Sequence, residues 1–140
     1  MIEQRLFLNV KLKELILCLN VHLLKMKINY HGRTFTGVSN SPNGQISGDT
    51  LFRYSHYDNI LIASYQGGTI LEGHMIGEVQ EDSSLYFTYH HIDTNKQLKS
   101  GYCHSVPEVL PDGRIRLYEQ WEWTHGGTGK GESVVEEVYH

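Results

Sequence analysis

The chain has 140 residues, enough for one domain that buries roughly two thirds of the surface its unfolded form exposes. A hydrophobic fraction of 39% with 20% charged residues excludes a disordered or fibrous protein. The net charge of −4, without any cluster of lysine and arginine, argues against nucleic acid as a partner. Cys18 and Cys103 lack C-x-x-C spacing, so they predict a reducing, cytoplasmic setting without a disulfide framework.

Residues 1–25 differ in composition from the rest of the chain. They are rich in leucine, lack glycine and proline, and favour a helix. Lys11, Lys13 and Glu14 leave an apolar run too short for a signal peptide or a bilayer span. We therefore predict an N-terminal extension over 1–25, with a domain over 26–140. The extension is non-native, an ordered helix that closes a barrel end, or a membrane-surface anchor.

From residue 26 onward the chain alternates short apolar–polar segments with turn signals. Nine tyrosines and 14 glycines suit strands joined by tight turns. The predicted strands are 26–30 continued by 33–39, 50–57, 60–65, 69–79, 85–91, 97–105, 113–124 and 133–139. Pro107 and Pro111 place a loop over 106–112. Even spacing predicts an all-β protein, an antiparallel up-and-down meander closed into a barrel of about eight to ten strands.

The lengths of the turns predict which side chains share a face. A loop over 80–84 pairs Val79 with Leu85 and His74 with His90, with both histidines outside the barrel. The inner face then carries Leu71, Gly73, Met75, Gly77, Val79, Leu85, Phe87 and Tyr89. For strand 50–57 the pattern leaves two choices open, Phe52 with Tyr54 inward or Leu51 with Arg53 inward.

The next turn extends this wall. A four-residue loop over 93–96 pairs Tyr89 with Ser100 and Phe87 with Tyr102, which places Tyr102 inside. The strand over 113–124 has the longest strict alternation of the chain. Its predicted inner residues are Ile115, Leu117, Glu119, Trp121 and Trp123.

Glu119 is the one acid among these inner residues. A carboxylate there must be paired, hydrogen-bonded or protonated, because an apolar site penalises its charge. Glycines beside large aromatics predict a partly open cavity that holds a small, largely apolar ligand. The predicted ligand-binding residues are Phe87, Tyr89, Tyr102, Leu117, Glu119, Trp121 and Trp123.

Two alternatives to a binding protein stay open. In the first, Glu119 acts as an acid or base of an enzyme, helped by Tyr89, Tyr102 or His104. In the second, the barrel is filled and its outer surface mediates interactions. The residues leave open whether the chain forms a homodimer.

Other chemistry receives little support from the sequence. His90 and His91 are neighbours and point to opposite faces, and no H-x-H or H-x-x-x-H spacing occurs, so we predict no metal site. The loop over 125–131 resembles a P-loop, but Gly131 stands where Ser or Thr is required and a strand follows. Ser105 and His104 are strand neighbours that diverge. We predict no cofactor.

Four segments together carry a resemblance to a known family: INYHGRTFTGVSNSPNG, GGTILEGHMIGEV, YHHIDTNKQLKSG and DGRIRLYEQWEWT. They resemble small bacterial proteins that genomes often label "n-acetylglutamate synthase", over about residues 26–140. Acetyltransferase-type synthases bind acetyl-CoA through an R/Q-x-x-G-x-G/A turn that opens a helix, and this chain has neither. The resemblance instead implies a barrel like those of the calycins (lipocalins, fatty-acid-binding proteins and avidins), although the lipocalin G-x-W is absent.

Overall fold

A computed structural model describes residues 3–5, 8–15 and 27–139. Residues 3–5 and 8–15 are helical, as predicted for this segment, and their side chains are exposed. The rest of the predicted extension lies outside the described residues. No helix within the described ranges is long and apolar enough to cross a membrane.

Eight antiparallel strands form a closed barrel in which each strand pairs with its neighbours along the chain. The predicted all-β, up-and-down barrel is therefore confirmed. The strands are β1 (Thr34–Asn40), β2 (Leu51–Tyr57), β3 (Ile60–Gly67), β4 (Ile70–Val79), β5 (Leu85–Asp93), β6 (Leu98–Val109), β7 (Ile115–His125) and β8 (Lys130–Glu137). β1 pairs with β8, which closes the sheet and leaves no open edge in the barrel.

The interior is built by the alternation that the sequence shows. In β7, Ile115, Leu117, Glu119, Trp121 and Trp123 all point inward, as predicted. In β2, Phe52 and Tyr54 are the buried pair, which decides the choice that the sequence left open. Burying one face of every strand removes its apolar side chains from water, and this is the main stabilising contribution to the barrel.

The predicted pairing of β4 with β5 is confirmed, with one local correction. Val79 lies opposite Leu85 and His74 opposite His90. The prediction for Leu71 is wrong, because the register shifts between Ile70 and Glu72 at the start of β4. This bulge turns Ile70 inward and leaves Leu71 50% exposed.

The predicted pairing of β5 with β6 is wrong by one residue. Phe87 lies opposite Cys103, and Tyr102 lies opposite Thr88. Asp93 pairs with Gln97, so three residues lie between the paired positions, where the prediction had four. Because strand side chains alternate, this slip moves Tyr102 to the outer face, where it is 50% exposed.

Three predicted strand boundaries also need correction. β6 continues through Pro107 to Val109, since proline breaks a helix by its missing N–H and its ring clash, while an extended chain tolerates it. Residues 27–30 form no strand, and β8 ends at Glu137 before residues 138–139.

The two ends of the barrel differ. At one end, here called the base, Tyr30 is fully buried and its hydroxyl donates to the Ser83 carbonyl at 2.6 Å. The amide of Ile28 donates to Ser83 Oγ at 2.8 Å, so the segment before β1 plugs this end. At the other end, the mouth, the connections between β1 and β2, β3 and β4, β5 and β6, and β7 and β8 come together.

Candidate functional site

Three neighbouring strands place a serine, a glutamate and a serine in one row. Glu119 of β7 lies opposite Ser105 of β6 and Ser133 of β8. The Ser105 hydroxyl donates to Glu119 Oε2 at 2.9 Å, and the Ser133 hydroxyl donates to Oε1 at 3.0 Å. Each carboxyl oxygen therefore accepts a hydrogen bond, as expected for an acid on a buried face.

The pKa of the Glu119 carboxyl lies close to neutral pH. The residue is 7% exposed, and burial raises its pKa to about 7 against the lowering effect of Ser105 and Ser133. The buried hydroxyl of Tyr54 makes no hydrogen bond to any described residue. The negative charge of Glu119 adds to burial in raising the pKa of Tyr54, so the two groups share one electrostatic environment.

Aromatic rings line the wall above Glu119, and several of them lie against a glycine of a neighbouring strand or turn. A methyl group would overlap the Trp121 ring if added at Gly131 and the Tyr89 ring if added at Gly101. Gly101 and Gly131 therefore give space to the rings of neighbouring strands. They let large rings lie flat along the sheet, as aromatic side chains commonly do over strand glycines.

A glycine also makes room for the ring of Tyr65, which orients its hydroxyl near the mouth. The Tyr65 ring crosses Gly73 of β4, where a methyl group would overlap the ring, and its hydroxyl reaches His91 Nδ1 of β5 at 2.8 Å. His91 Nε2 lies 2.6 Å from Gln45 Oε1, and Gln45 Nε2 donates to Asp93 Oδ2 at 3.1 Å. A hydrogen-bonded chain thus runs from the wall to the loop between β1 and β2.

That loop, residues 41–50, covers the mouth and is called the lid below. Trp123 Nε1 donates to the Asn43 carbonyl at 3.0 Å, and Asn43 Nδ2 donates to the Thr128 carbonyl at 3.4 Å. Asn40 Nδ2 donates to the Ile46 carbonyl at 3.1 Å. The lid is therefore attached by hydrogen bonds to several strands, while its own residues add no strand to the barrel.

Between the wall and the lid lies a cavity of about 50 Å³. A volume of this size holds about one or two water molecules. Its lining is mostly apolar, with Glu119 and Ser133 below and His91, Gln45 and Asn40 toward the lid. The buried Asn40 Oδ1 accepts no hydrogen bond from any residue that the structure describes.

A comparison with known families assigns this barrel. The model of the avidin-like protein family matches residues 28–138, from the base plug through the last strand. The chain belongs to the avidin-like family. Avidin-like barrels bind small ligands, in agreement with a site inside the barrel. No curated protein and no solved structure matches the chain at a significant level.

Five of the seven predicted binding residues line the cavity of this avidin-like barrel: Phe87, Tyr89, Glu119, Trp121 and Trp123. Leu117 is fully buried nearer the base and is not part of the lining. Tyr102 lies outside and donates a hydrogen bond to Glu122, so its assignment to the wall is wrong. The slip of the turn between β5 and β6 is the reason.

Sequence reasoning missed several residues that contribute to the site. For His91 the signal was present, because it continues the inward alternation of Phe87 and Tyr89 along β5. The contacts of Ser105 and Ser133 with Glu119 could be predicted only from the registers of β6 and β8 against β7, which the sequence does not provide. Gln45 sits in a loop without periodicity, and only the folded chain brings it to His91.

Other predicted chemistry is placed as follows. Residues 125–131 include the hairpin turn between β7 and β8, as expected from the strand after it. Ser105 points inward to Glu119, while its neighbour His104 stacks on Tyr86 outside. Among the residues with described positions, no group of three or more His, Cys, Asp or Glu is arranged to hold a metal ion.

Proposed function

We propose that this avidin-like barrel binds a small, largely apolar molecule between the aromatic wall and the lid. The observation that carries the proposal is a single carboxyl, Glu119, at the floor of a cavity with otherwise mostly apolar walls. Ligand sites in proteins commonly combine an apolar lining with a few convergent polar groups that orient the ligand. Trp121, Trp123, Phe87 and Tyr89 supply the apolar surface, and Glu119 supplies the polar contact.

The lid sets a condition on binding. Pockets for drug-sized ligands measure roughly 300–1,000 Å³, whereas this cavity measures about 50 Å³. Gln45 and Ile46 of the lid line the cavity from above, so a ligand larger than a few atoms must displace them. Entry therefore requires the lid to exchange its hydrogen bonds with Trp123 and His91 for contacts with the ligand.

Glu119 suits contact with a hydrogen-bond donor or a cationic group. Its pKa of about 7 means that the charged and neutral forms are both populated at neutral pH. A ligand cation stabilises the charged form and lowers this pKa, since opposite charges at short range favour ionisation. Binding of such a ligand releases a proton from Glu119, so its affinity rises with pH around neutrality.

A second candidate is an enzyme in which Glu119 acts as general acid or base. A carboxyl whose pKa lies near 7 and that borders a cavity has the properties that proton transfer requires. The synthase label is the least favoured form of this alternative, because the barrel offers no glycine turn opening a helix for acetyl-CoA in the described residues.

The first test is native mass spectrometry of the full chain after gentle purification, followed by a metabolite screen on tryptophan fluorescence. Both tryptophans of the chain lie in the wall, so fluorescence reports directly on the cavity. We expect a discrete added mass that is lost on denaturation. A bare mass with no fluorescence response would favour a filled barrel that acts through its outer surface.

Glu119→Gln separates binding from catalysis once a ligand is found. For a binding protein we expect a modest loss of affinity, about tenfold, the value of one hydrogen bond to a charged group. An enzyme would keep binding and lose nearly all turnover. The matched control is Tyr102→Phe, a change on the outer face that leaves both properties unchanged.

The cytoplasmic location and a homodimer remain predictions.

A further inference from the structure

The side chain of Gln45 enters the mouth of the barrel and is hydrogen-bonded on both sides of its amide. Its oxygen lies 2.6 Å from His91 Nε2, and its nitrogen donates to Asp93 Oδ2 at 3.1 Å. His91, Asp93 and Tyr65 belong to strands of the closed barrel, whereas Gln45 belongs to the lid. Three residues of this contact therefore belong to the barrel wall, and the fourth, Gln45, belongs to the loop that covers it.

The hydrogen bonds of His91 show which ring nitrogen can donate to a ligand. Burial lowers the pKa of His91 to about 4, so the ring is neutral at pH 7 and carries one proton. The amide oxygen of Gln45 can only accept, which places that proton on Nε2. Nδ1 then accepts from the Tyr65 hydroxyl at 2.8 Å.

Asp93 is the second element of this polar subsite. Hydrogen bonds from the Gln97 backbone amide and from Gln45 lower its pKa, so the carboxylate is ionised at neutral pH. Lys99 Nζ lies 3.5 Å from Asp93 Oδ2 and provides a counter-charge. The subsite therefore presents one N–H donor and one anionic acceptor at the spacing of a single amide group.

We propose that this subsite binds a carboxamide of the ligand in place of the Gln45 side chain. The ligand's carbonyl accepts from His91 Nε2–H, and its N–H donates to Asp93. The inference rests on the proposed function, because it assumes that the cavity is a ligand site. The expected ligands are amides with an apolar, ring-like body. That body lies on Trp123, because the ring centroids of Trp123 and His91 are 5.9 Å apart.

Related groups should bind less well for defined reasons. A ketone keeps the carbonyl but leaves the Asp93 carboxylate without its donor. A carboxylate places a second oxygen against Asp93, which is repulsive at short range. The expected order is amide, then ketone, then carboxylate.

The test uses benzamide, acetophenone and benzoate as probes of the full chain, at pH 7. Binding is followed by the indole N–H signals of Trp121 and Trp123 in NMR spectra, since the Trp123 N–H donates to the lid. In Gln45→Ala the internal competitor is absent, and we expect benzamide to bind at least about tenfold more tightly than in the wild type. Benzamide should exceed acetophenone by a similar factor.

Two further variants make the result specific. Gln66→Ala removes an exposed glutamine of β3 near the same end and should leave benzamide affinity unchanged. Asp93→Asn in the Gln45→Ala background keeps an acceptor for the turn amides of Asn95 and Gln97. It should reduce the advantage of benzamide over acetophenone, because the anionic acceptor is gone.

The outcomes distinguish the inference from the proposed function. Equal tightening of all three probes in Gln45→Ala would mean that the variant only loosens the lid, and the inference would be wrong. Equal binding of benzamide and acetophenone in Gln45→Ala would overturn the inference and leave the proposed function intact. If none of the probes binds wild type or Gln45→Ala, with both folded by circular dichroism, both proposals fail.

Discussion

Glu119 shows how a single residue can be predicted to matter while its partners cannot. The alternation of β7 identifies an acid on a buried face, and elementary electrostatics requires that it be satisfied. The donors Ser105 and Ser133 sit 14 residues before and after it in the chain. Nothing in their local sequence marks them, because their role depends on register across two strand pairs.

The raised pKa of Glu119 predicts a specific pH dependence of stability. In the unfolded chain this carboxyl titrates near 4.5, and in the folded protein near 7. Between these values the folded state holds a proton that the unfolded state has lost. The free energy of unfolding therefore falls as pH rises through this window, by about 3 kcal/mol from this group. Urea unfolding of wild type and Glu119→Gln from pH 4 to 8 measures it.

The comparison must be made as a difference between the two proteins. His91 has a lowered pKa of about 4, so its contribution is lost as pH falls from its ordinary value of 6.5, with the opposite sign. The wild-type profile is flattened where the two windows overlap, and subtracting the Glu119→Gln profile isolates Glu119. A difference that stays constant with pH would show that the pKa of Glu119 is the same in the folded and the unfolded protein, which would contradict the prediction.

At the scale of elements, the turns decide which face each strand presents. The five-residue connection over 80–84 had the length that its sequence suggests, so the register of β5 against β4 was predictable. The connection between β5 and β6 closes one residue earlier, with Lys96 at a φ of 62°. A lysine gives no sign that it will adopt the left-handed region, and so the register of β6 was misjudged.

This turn yields a second prediction. Lys96→Gly places the residue type that tolerates a positive φ where the backbone requires one, and we expect stabilisation by up to about 1 kcal/mol. Thermal unfolding followed by circular dichroism measures the change. Asn95→Gly is the matched control, because its φ is not positive and added chain freedom should lower stability. Equal effects of the two substitutions would contradict the assigned turn geometry.

At the scale of the whole molecule, the base and the mouth of the barrel are closed in different ways. The base is sealed by Tyr30 and by ion pairs such as Arg33 with Glu137 at 2.9 Å. The mouth is covered by the lid, which is hydrogen-bonded to Trp123 and His91 and packs Ile46 against the core. Under the proposed function a ligand enters at the mouth, because buried side chains and ion pairs close the base.

The third prediction concerns residues 1–25. The described apolar side chains of this segment, Leu8, Val10, Leu12 and Leu15, are more than half exposed, and the family match begins at residue 28. We expect the chain that starts at Met26 to keep the barrel and to unfold within about 0.5 kcal/mol of the full chain, as for surface changes. A larger loss of stability would instead support a helix that closes one end of the barrel.

The sequence alone predicts the closed barrel, most interior residues of β4, β5 and β7, and the position of Glu119 on a buried face. These follow from a period of two and from turn signals, which are local properties of the chain. The serine partners of Glu119 and the contact of Gln45 with His91 become visible only in the folded barrel, and the outward position of Tyr102 only in the geometry of the turn before β6. The two contacts depend on how distant segments meet when the sheet closes, which local patterns do not encode, and the turn depends on a left-handed lysine that its residue type does not predict.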